Sequence, residues 1–225
     1  MKRFVTICGL SVLTAVSAAA GTIHDIRTGQ VPRGTVVEVD GAVVTAVQNG
    51  SFSVTELPAG PYRAIWVFLG SEPAVSAGDV VDLKGFYRDN FGRDEINLLW
   101  PPDAGVVVTG SAPLPDIQLT TTEIAADPAA WVSAMITITD GMIVMEMQLR
   151  GQWRATSVET SLDVVFDDYF YDFATVGLGD CYNNGFGLYT WHDGAYVFKV
   201  LSVALIDCTI ANEALSFGQL KVIYR

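Results

Sequence analysis

The chain has 225 residues, of which 50% are apolar and 17% are charged, and its formal net charge is −12. This length allows two small domains, each with a hydrophobic core of its own. The acidic balance opposes non-specific binding to nucleic acid, which depends on Lys and Arg side chains that neutralise phosphates.

The first twenty residues are predicted to be a secretory signal peptide. Lys2 and Arg3 form a basic start. An apolar run follows over Phe4–Val16, too short for a stable membrane anchor, and Ala18–Ala20 offer small residues for cleavage before Gly21. No later apolar run is long enough to cross a membrane. We therefore predict a protein that is secreted, periplasmic or held at the cell surface.

Runs of β-branched and aromatic residues predict five strands after an irregular lead-in over residues 22–33. The strands are expected at residues 36–47, from residue 52 onward, and at residues 62–68, 79–87 and 95–99. Gly41 is expected to bend the first strand, and Pro101 to end the last. A long kinked first strand and a final hairpin are typical of a Greek-key barrel of the OB type, the oligonucleotide- and oligosaccharide-binding barrel.

A faint internal repeat predicts a second barrel. Residues 35–44 recur as residues 135–144, and Gly78-Asp79-Val80 recurs as Gly179-Asp180-Cys181. Between the copies we expect extended chain over residues 104–118, then a short helix over residues 120–131 with Thr122 as a possible N-cap. The strands of the second copy are expected at residues 135–147, 152–157, 161–166, 181–191 and 195–206.

The predicted fold class is all-β: two tandem OB-fold-like Greek-key barrels joined by a short helix or linker. The predicted domains are the signal peptide (1–20), barrel 1 (21–118), barrel 2 (119–208) and a C-terminal tail (209–225). The tail is expected to be either a packed terminal strand or a processed targeting segment.

Two cysteines, Cys181 and Cys208, remain after removal of the signal peptide. An even number of cysteines in an exported protein favours a disulfide. Both residues lie at the open end of the last predicted hairpin, close to each other across the strands. We therefore predict that they form a disulfide, with two buried free thiols as the alternative.

Cationic and aromatic residues of the first barrel are candidates for ligand binding. In an OB barrel the middle strands and the loop between the last two form the binding face, and aromatic rings stack on bases. The competing interpretation is that acids neutralise the cations and the aromatic rings point into the core. Trp153 and Arg154 are a smaller set in the second barrel. The candidate residues are Arg63, Trp66, Lys84, Tyr87, Arg88, Phe91, Arg93, Trp153 and Arg154.

The sequence predicts neither a catalytic centre nor a metal or other cofactor. Only His24 and His192 could serve as histidine bases, and no Gly-x-Ser-x-Gly motif surrounds a serine. The acidic stretch Asp163–Asp172 lacks the glycine and distal glutamate of an EF-hand loop. A solvated acidic loop is therefore favoured over a Ca²⁺ site there.

Several stretches resemble the OB-like modules that secreted bacterial nucleases of the endonuclease/exonuclease/phosphatase class carry ahead of their catalytic domain. The resemblance covers most of residues 22–208 and implies a pair of OB barrels. Those nucleases place their metal-binding acids and catalytic histidines in a later domain, which has no counterpart in this sequence. The resembling stretches are Val36–Val43, Ile65–Phe68, Ala77–Gly85, Leu114-Pro115 and Trp131–Ile138.

This resemblance implies an exported, non-catalytic tandem OB-fold protein that binds single-stranded nucleic acid or assists a nuclease. The alternative is a cell-surface structural module that binds a secreted or surface protein and is retained through its tail. Residues 217–225 of that tail resemble short endings of exported bacterial proteins.

Overall fold

The structure, a computed structural model, describes residues 19–168, 176–192 and 194–206. Most of the predicted signal peptide and nearly all of the predicted tail lie outside the described residues. Within the described ranges, no helix is long and apolar enough to cross a membrane.

The chain enters the first barrel through a short strand and a helix. Strand β1 (Ala19–Ala20) precedes helix α1 (Ile23–Arg27), where the sequence predicted an irregular lead-in over residues 22–33. A capping box starts the helix: the Asp25 amide donates to Thr22 Oγ1 over 3.0 Å, and the Thr22 amide donates to Asp25 Oδ2 over 3.2 Å. The prediction was wrong because five residues are too few to show a helical period.

The first barrel is a closed ring of five strands. Their order is β2-β3-β4-β6-β5, and β5 pairs back with β2. All neighbours in the ring are antiparallel except β4 and β6, which are parallel. This is the connectivity of an OB barrel, as predicted. The strands are β2 (Val36–Gln48), β3 (Ser51–Thr55), β4 (Ala64–Phe68), β5 (Asp79–Asn90) and β6 (Arg93–Asn97).

The connection between the barrels contains more pairing than the sequence predicted. Strand β7 (Gly105–Ser111) runs antiparallel to β5 at the edge of the first sheet. Strand β8 (Gln118–Leu119) and helix α2 (Thr121–Ala126) follow, and then a 3₁₀ turn over Pro128–Trp131. The helix N-cap is Thr120 and not Thr122, because Thr120 Oγ1 accepts the amide proton of the residue three positions on.

The second barrel repeats the connectivity of the first. Its strands follow the order β10-β11-β12-β14-β13-β9, with β10 also paired to β13 and with β12 parallel to β14. The fold is thus all-β, with two tandem OB-like barrels and a short helix between them. The strands are β9 (Met135–Ile138), β10 (Met142–Met147), β11 (Gln152–Ser157), β12 (Asp163–Asp167), β13 (Cys181–His192) and β14 (Ala195–Ile206).

The long strand predicted over residues 135–147 is broken between β9 and β10 because Asp140 turns inward. Its carboxylate is 6% exposed and accepts the Thr121 amide proton over 3.0 Å and the Ser157 hydroxyl proton over 2.9 Å. The break therefore lets a carboxylate hold the first turn of α2 against the barrel. In the first barrel Glu56 holds α1 similarly, accepting the Ile23 amide proton over 2.7 Å.

Each barrel has its own hydrophobic core. The first is formed by aliphatic residues around Phe52. The second is aromatic: the Trp153 ring stacks on Phe166 with centroids 5.7 Å apart, and its Nε1 donates to the Tyr182 hydroxyl over 3.2 Å. The recurring residues 35–44 and 135–144 thus lie on corresponding first strands of two separately packed units.

A candidate ligand-binding cleft between the barrels

The second barrel covers the face of the first barrel that the sequence indicated for binding. Trp66 is 3% exposed and packs in an apolar cluster with Ala46 and with Met135 and Leu188 of the second barrel. Nearby, the Ser53 hydroxyl on β3 donates across the interface to a backbone carbonyl of the second barrel. Because its ring is enclosed on both sides, Trp66 offers no surface on which a ligand could stack.

Two cationic candidates beside Trp66 surround one buried carboxylate. Glu95 is 0% exposed, with Arg88 Nη2 at 2.7 Å and Arg93 Nη2 at 3.6 Å from its oxygens. The Arg93 guanidinium also lies over the Trp66 ring, 4.6 Å from the centroid. Burial lowers the pKa of Arg93, and the charge of Glu95 opposes that shift. Both arginines are therefore already engaged by a protein anion.

Two further cationic candidates of the first barrel also contact acids. Arg63 Nη1 lies 2.9 Å from Glu56, and Lys84 Nζ lies 2.8 Å from Asp103 and 3.1 Å from Glu38. Hydrogen bonds to those two carboxylates raise the pKa of Lys84. A phosphate at either position would have to displace a carboxylate.

The candidates of the second barrel point in opposite directions. Trp153 is 2% exposed and belongs to the core, so a ligand cannot stack on it. Arg154 lies on the outer surface, where its guanidinium is 3.1 Å from Glu146 and 2.7 Å from Asp163. Trp153 therefore fits the competing interpretation of the sequence, in which the aromatic rings point into the core.

The remaining candidates lie close together on the β5–β6 hairpin but differ in exposure. Tyr87 is 3% exposed, and its hydroxyl donates to Asp94 Oδ1 over 2.7 Å; burial raises its pKa. Phe91 lies at the tip of the hairpin and is 94% exposed. Of the predicted aromatic residues, Phe91 is therefore the one that presents its ring to a ligand.

The tip of this hairpin meets the corresponding hairpin of the second barrel. Trp191 lies near the end of β13, and its Nε1 donates to the Phe91 carbonyl over 2.9 Å. Gly92 makes this approach possible, because a Cβ there would stand 2.6 Å from Trp191 Nε1 and its φ is +91°. The loop between the fourth and fifth strands is one of the loops that bind ligands in an OB barrel, and here this loop of each barrel lies beside that of the other.

Aromatic rings line the cleft between these hairpins. Trp191 packs edge-on against Tyr196 with ring centroids 4.8 Å apart, and the Tyr189 ring stacks on Tyr196 with centroids 5.7 Å apart. Tyr62 of the first barrel also lines the cleft, and its hydroxyl donates to Asp127 over 2.9 Å. The cleft has a volume of about 200 Å³, which suits a single ring better than a large ligand.

A buried ion pair lies at the same cleft and joins the barrels. The Arg27 side chain is 5% exposed, and its Nε lies 3.3 Å from Asp94 Oδ2. Its Nη1 donates to the carbonyl of Ala64 over 2.6 Å and to that of Val132 over 2.7 Å, and its Nη2 donates to the Ala129 carbonyl. Burial lowers the pKa of Arg27, and Asp94 partly offsets this effect. Since the two charges cancel, the cleft has no excess charge for an ionic ligand.

The buried tyrosine behind the cleft predicts a loss of stability at alkaline pH. Burial raises the pKa of Tyr189 above its ordinary value near 10, so the folded state holds the phenol proton more tightly than the unfolded chain. The contribution of the protonated phenol to the free energy of unfolding is fully present below about pH 10. It is lost as the pH rises through the pKa of the folded state. We expect the free energy of unfolding, measured with urea from pH 8 to 11.5, to fall less steeply in Tyr189→Phe than in the native chain. Equal slopes would contradict the prediction.

Several sequence predictions lie outside the described residues. Cys208 is one of them, so the disulfide stays a prediction; Cys181 itself is paired in register with Ile206 on β14. The acidic stretch is described from Asp163 to residue 168, and Asp172 lies beyond that range. Across the described ranges, no three His, Cys, Asp or Glu side chains converge as metal ligands would.

No protein-family model matches the chain, and no curated protein matches its sequence. Solved structures resemble it weakly. A murine DNA-binding protein bound to double-stranded DNA is 10% identical, with 77% of this chain and 98% of that one covered and a TM-score of 0.38. The p204 HINb domain is 11% identical, with coverages of 77% and 98% and a TM-score of 0.33. The hypothetical protein ygiW from E. coli is 14% identical, with coverages of 40% and 90% and a TM-score of 0.29. Likeness at these scores carries no inference about a ligand.

Proposed function

We propose that the protein is an exported, non-catalytic binding module that holds a base of single-stranded nucleic acid in the cleft between its barrels. The observation that supports this most directly is that Trp191 and Tyr196 line a cleft beside the hairpin tip that carries the exposed Phe91. Stacking of a base on an aromatic ring contributes about 1–3 kcal/mol and tolerates any sequence. In this role the protein assists a separate secreted nuclease.

Stacking, and not charge, supplies the binding energy in this proposal. The cationic candidates of the first barrel already contact carboxylates, and Arg27 at the cleft is paired with Asp94. Each phosphate neutralised on a single strand would add about −0.7 to the slope of log K against log salt. We therefore expect a slope shallower than about −1, since few phosphates gain a cation.

Removing the half-buried indole of Trp191 should weaken this binding. We expect Trp191→Ala to raise the Kd for a fluorescein-labelled oligothymidine, measured by anisotropy at low salt, by about tenfold or more, because one stacking surface is lost. The matched control is Trp100→Ala: that ring is 46% exposed and packs edge-on against Phe86, away from the cleft. The control should bind as the native chain does.

Two outcomes would overturn the proposal. If the native chain does not bind the oligonucleotide at low salt, nucleic acid is excluded as the ligand, and the alternative of a surface protein-interaction module takes its place.

That alternative is tested by deletion of residues 213–225, which should shift the protein from the cell-associated to the secreted fraction. Reproducible cleavage of DNA or RNA with Mg²⁺ or Ca²⁺, following the purified protein, would show that it is catalytic.

A further inference from the structure

Strand β7 is a free sheet edge of seven residues in the described part of the chain. It pairs with β5 on one side, and no described strand pairs with its other side. The other end strands, β1 and β8, have two residues each, whereas β7 has seven. A free edge presents a row of backbone N–H and C=O groups that can pair with another extended segment.

This edge lacks the features that normally prevent such pairing. Its sequence, Gly-Val-Val-Val-Thr-Gly-Ser, contains neither a charge nor a proline. Val107 is 62% exposed and Val108 is 48% exposed, so apolar side chains stand beside the free backbone groups. An edge of this length and composition is suited to strand addition, in which main-chain hydrogen bonds give affinity and alternate side chains give specificity.

The two faces of β7 differ in chemistry. Val106 packs against the core of the first barrel, and alternation places Val108 on the same apolar face. Val107 lies on the opposite face and lines a cleft of about 230 Å³. The charged residues of that cleft are four acids and one lysine: Glu38, Asp40, Asp82, Asp103 and Lys84. An added strand should therefore be basic on one face and apolar on the other.

We propose that residues 217–225 of this chain add as a strand to the free edge of β7. This segment, Phe-Gly-Gln-Leu-Lys-Val-Ile-Tyr-Arg, contains two cations and no acid. In an extended strand, Lys221, Ile223 and Arg225 share one face, and Leu220, Val222 and Tyr224 share the other. The first face complements the acidic cleft, and the second continues the apolar face of Val106 and Val108.

The chain length permits this arrangement within one molecule or between two. Residues 207–216 separate β14 from the segment, and ten extended residues span up to about 35 Å. This is about the diameter of a small domain. The segment thus has the reach to cover its own first barrel or that of a second copy.

Hydrogen exchange of the β7 amides tests the proposal. In the full chain we expect alternate amides of residues 105–111 to exchange slowly, because an added strand accepts their protons. The charge-reversed variant Lys221→Glu/Arg225→Glu should exchange there at least about tenfold faster, with β3 unchanged. The variant Lys221→Arg/Arg225→Lys keeps both charges and should match the native chain. Excess free peptide of residues 217–225 should restore slow exchange to a chain that ends at residue 216.

Three results of these exchange experiments would contradict the addition of residues 217–225 to β7. Fast exchange at β7 in the native chain, or equally slow exchange in the charge-reversed and native chains, would overturn the proposal. Failure of the peptide to protect the shortened chain would also overturn it. If β7 protection in the native chain grows with protein concentration, the segment comes from a second copy; if it is independent of concentration, it comes from the same chain.

Discussion

Replacement of Arg27 by methionine is expected to lower the free energy of unfolding by about 3–5 kcal/mol. The side chain of Arg27 is 5% exposed and that of Asp94 is 18% exposed, so the change leaves a largely buried carboxylate with only the exposed Arg33, at 3.2 Å, as its cationic partner. It also removes the guanidinium donors from the carbonyls of Ala64, Ala129 and Val132. Urea denaturation followed by circular dichroism measures the effect.

The matched control for this prediction is Arg154→Met. Arg154 contacts two carboxylates, as Arg27 contacts one, but its side chain is 38% exposed. Ion pairs at such positions contribute about 0–1 kcal/mol, because water screens them and ordering the side chains is costly. Losses of similar size in the two variants would show that Arg27 is not the buried link between the barrels.

The variant Trp153→Ala is expected to lose about 3–5 kcal/mol of stability, as large-to-small changes in a core do. Its indole is 2% exposed, stacks on Phe166 and donates to the Tyr182 hydroxyl, so the change leaves both a cavity and an unpaired acceptor. The thermal and urea midpoints report the loss. Among molecules that remain folded, affinity for the oligonucleotide should be unchanged, because the ring does not reach the surface.

Trp191→Ala is the variant to compare with Trp153→Ala, because one change should affect mainly oligonucleotide affinity and the other mainly the free energy of unfolding. Trp191 lies at the cleft, so the change should affect affinity strongly and stability less than Trp153→Ala does. If Trp153→Ala leaves stability intact and weakens oligonucleotide binding, the sequence-based assignment of Trp153 to a binding face is right and its placement in the core is wrong.

The succession of strands could be predicted from the sequence because alternation and turn residues are local signals. Gln152–Ser157 was predicted with its observed limits. Features that depend on distant partners were not predicted. Asp140 turns inward to accept a hydrogen bond from Thr121, and the five-residue helix α1 is held by a hydrogen bond to Glu56. Extended chain was predicted over residues 104–118, but the pairing of Gly105–Ser111 with β5 was not, because extended chain alone does not show which strand it pairs with.

The candidate site was harder to predict because burial by another domain has no local signature. Both faces of β4 are apolar, which indicates a strand buried on both sides but does not say that the second barrel covers it. The aromatic residues that line the cleft, Tyr62, Trp191 and Tyr196, come from two barrels, and only their juxtaposition makes them a site. The position of Trp191 and Tyr196 beside the His192–Gly194 turn was the one local signal that could have indicated them.

The hydrogen bonds of Arg27 also set the earliest point during synthesis at which the two barrels can pack together. Its acceptors at Ala129 and Val132 lie 102 and 105 residues later in the chain. The first barrel can therefore emerge and close long before its most buried arginine finds those carbonyls. Until then the guanidinium must stay hydrated, and the face around Trp66 must stay open to water. The nascent chain thus passes through a stage in which the first barrel can be complete while the cleft between the barrels is not.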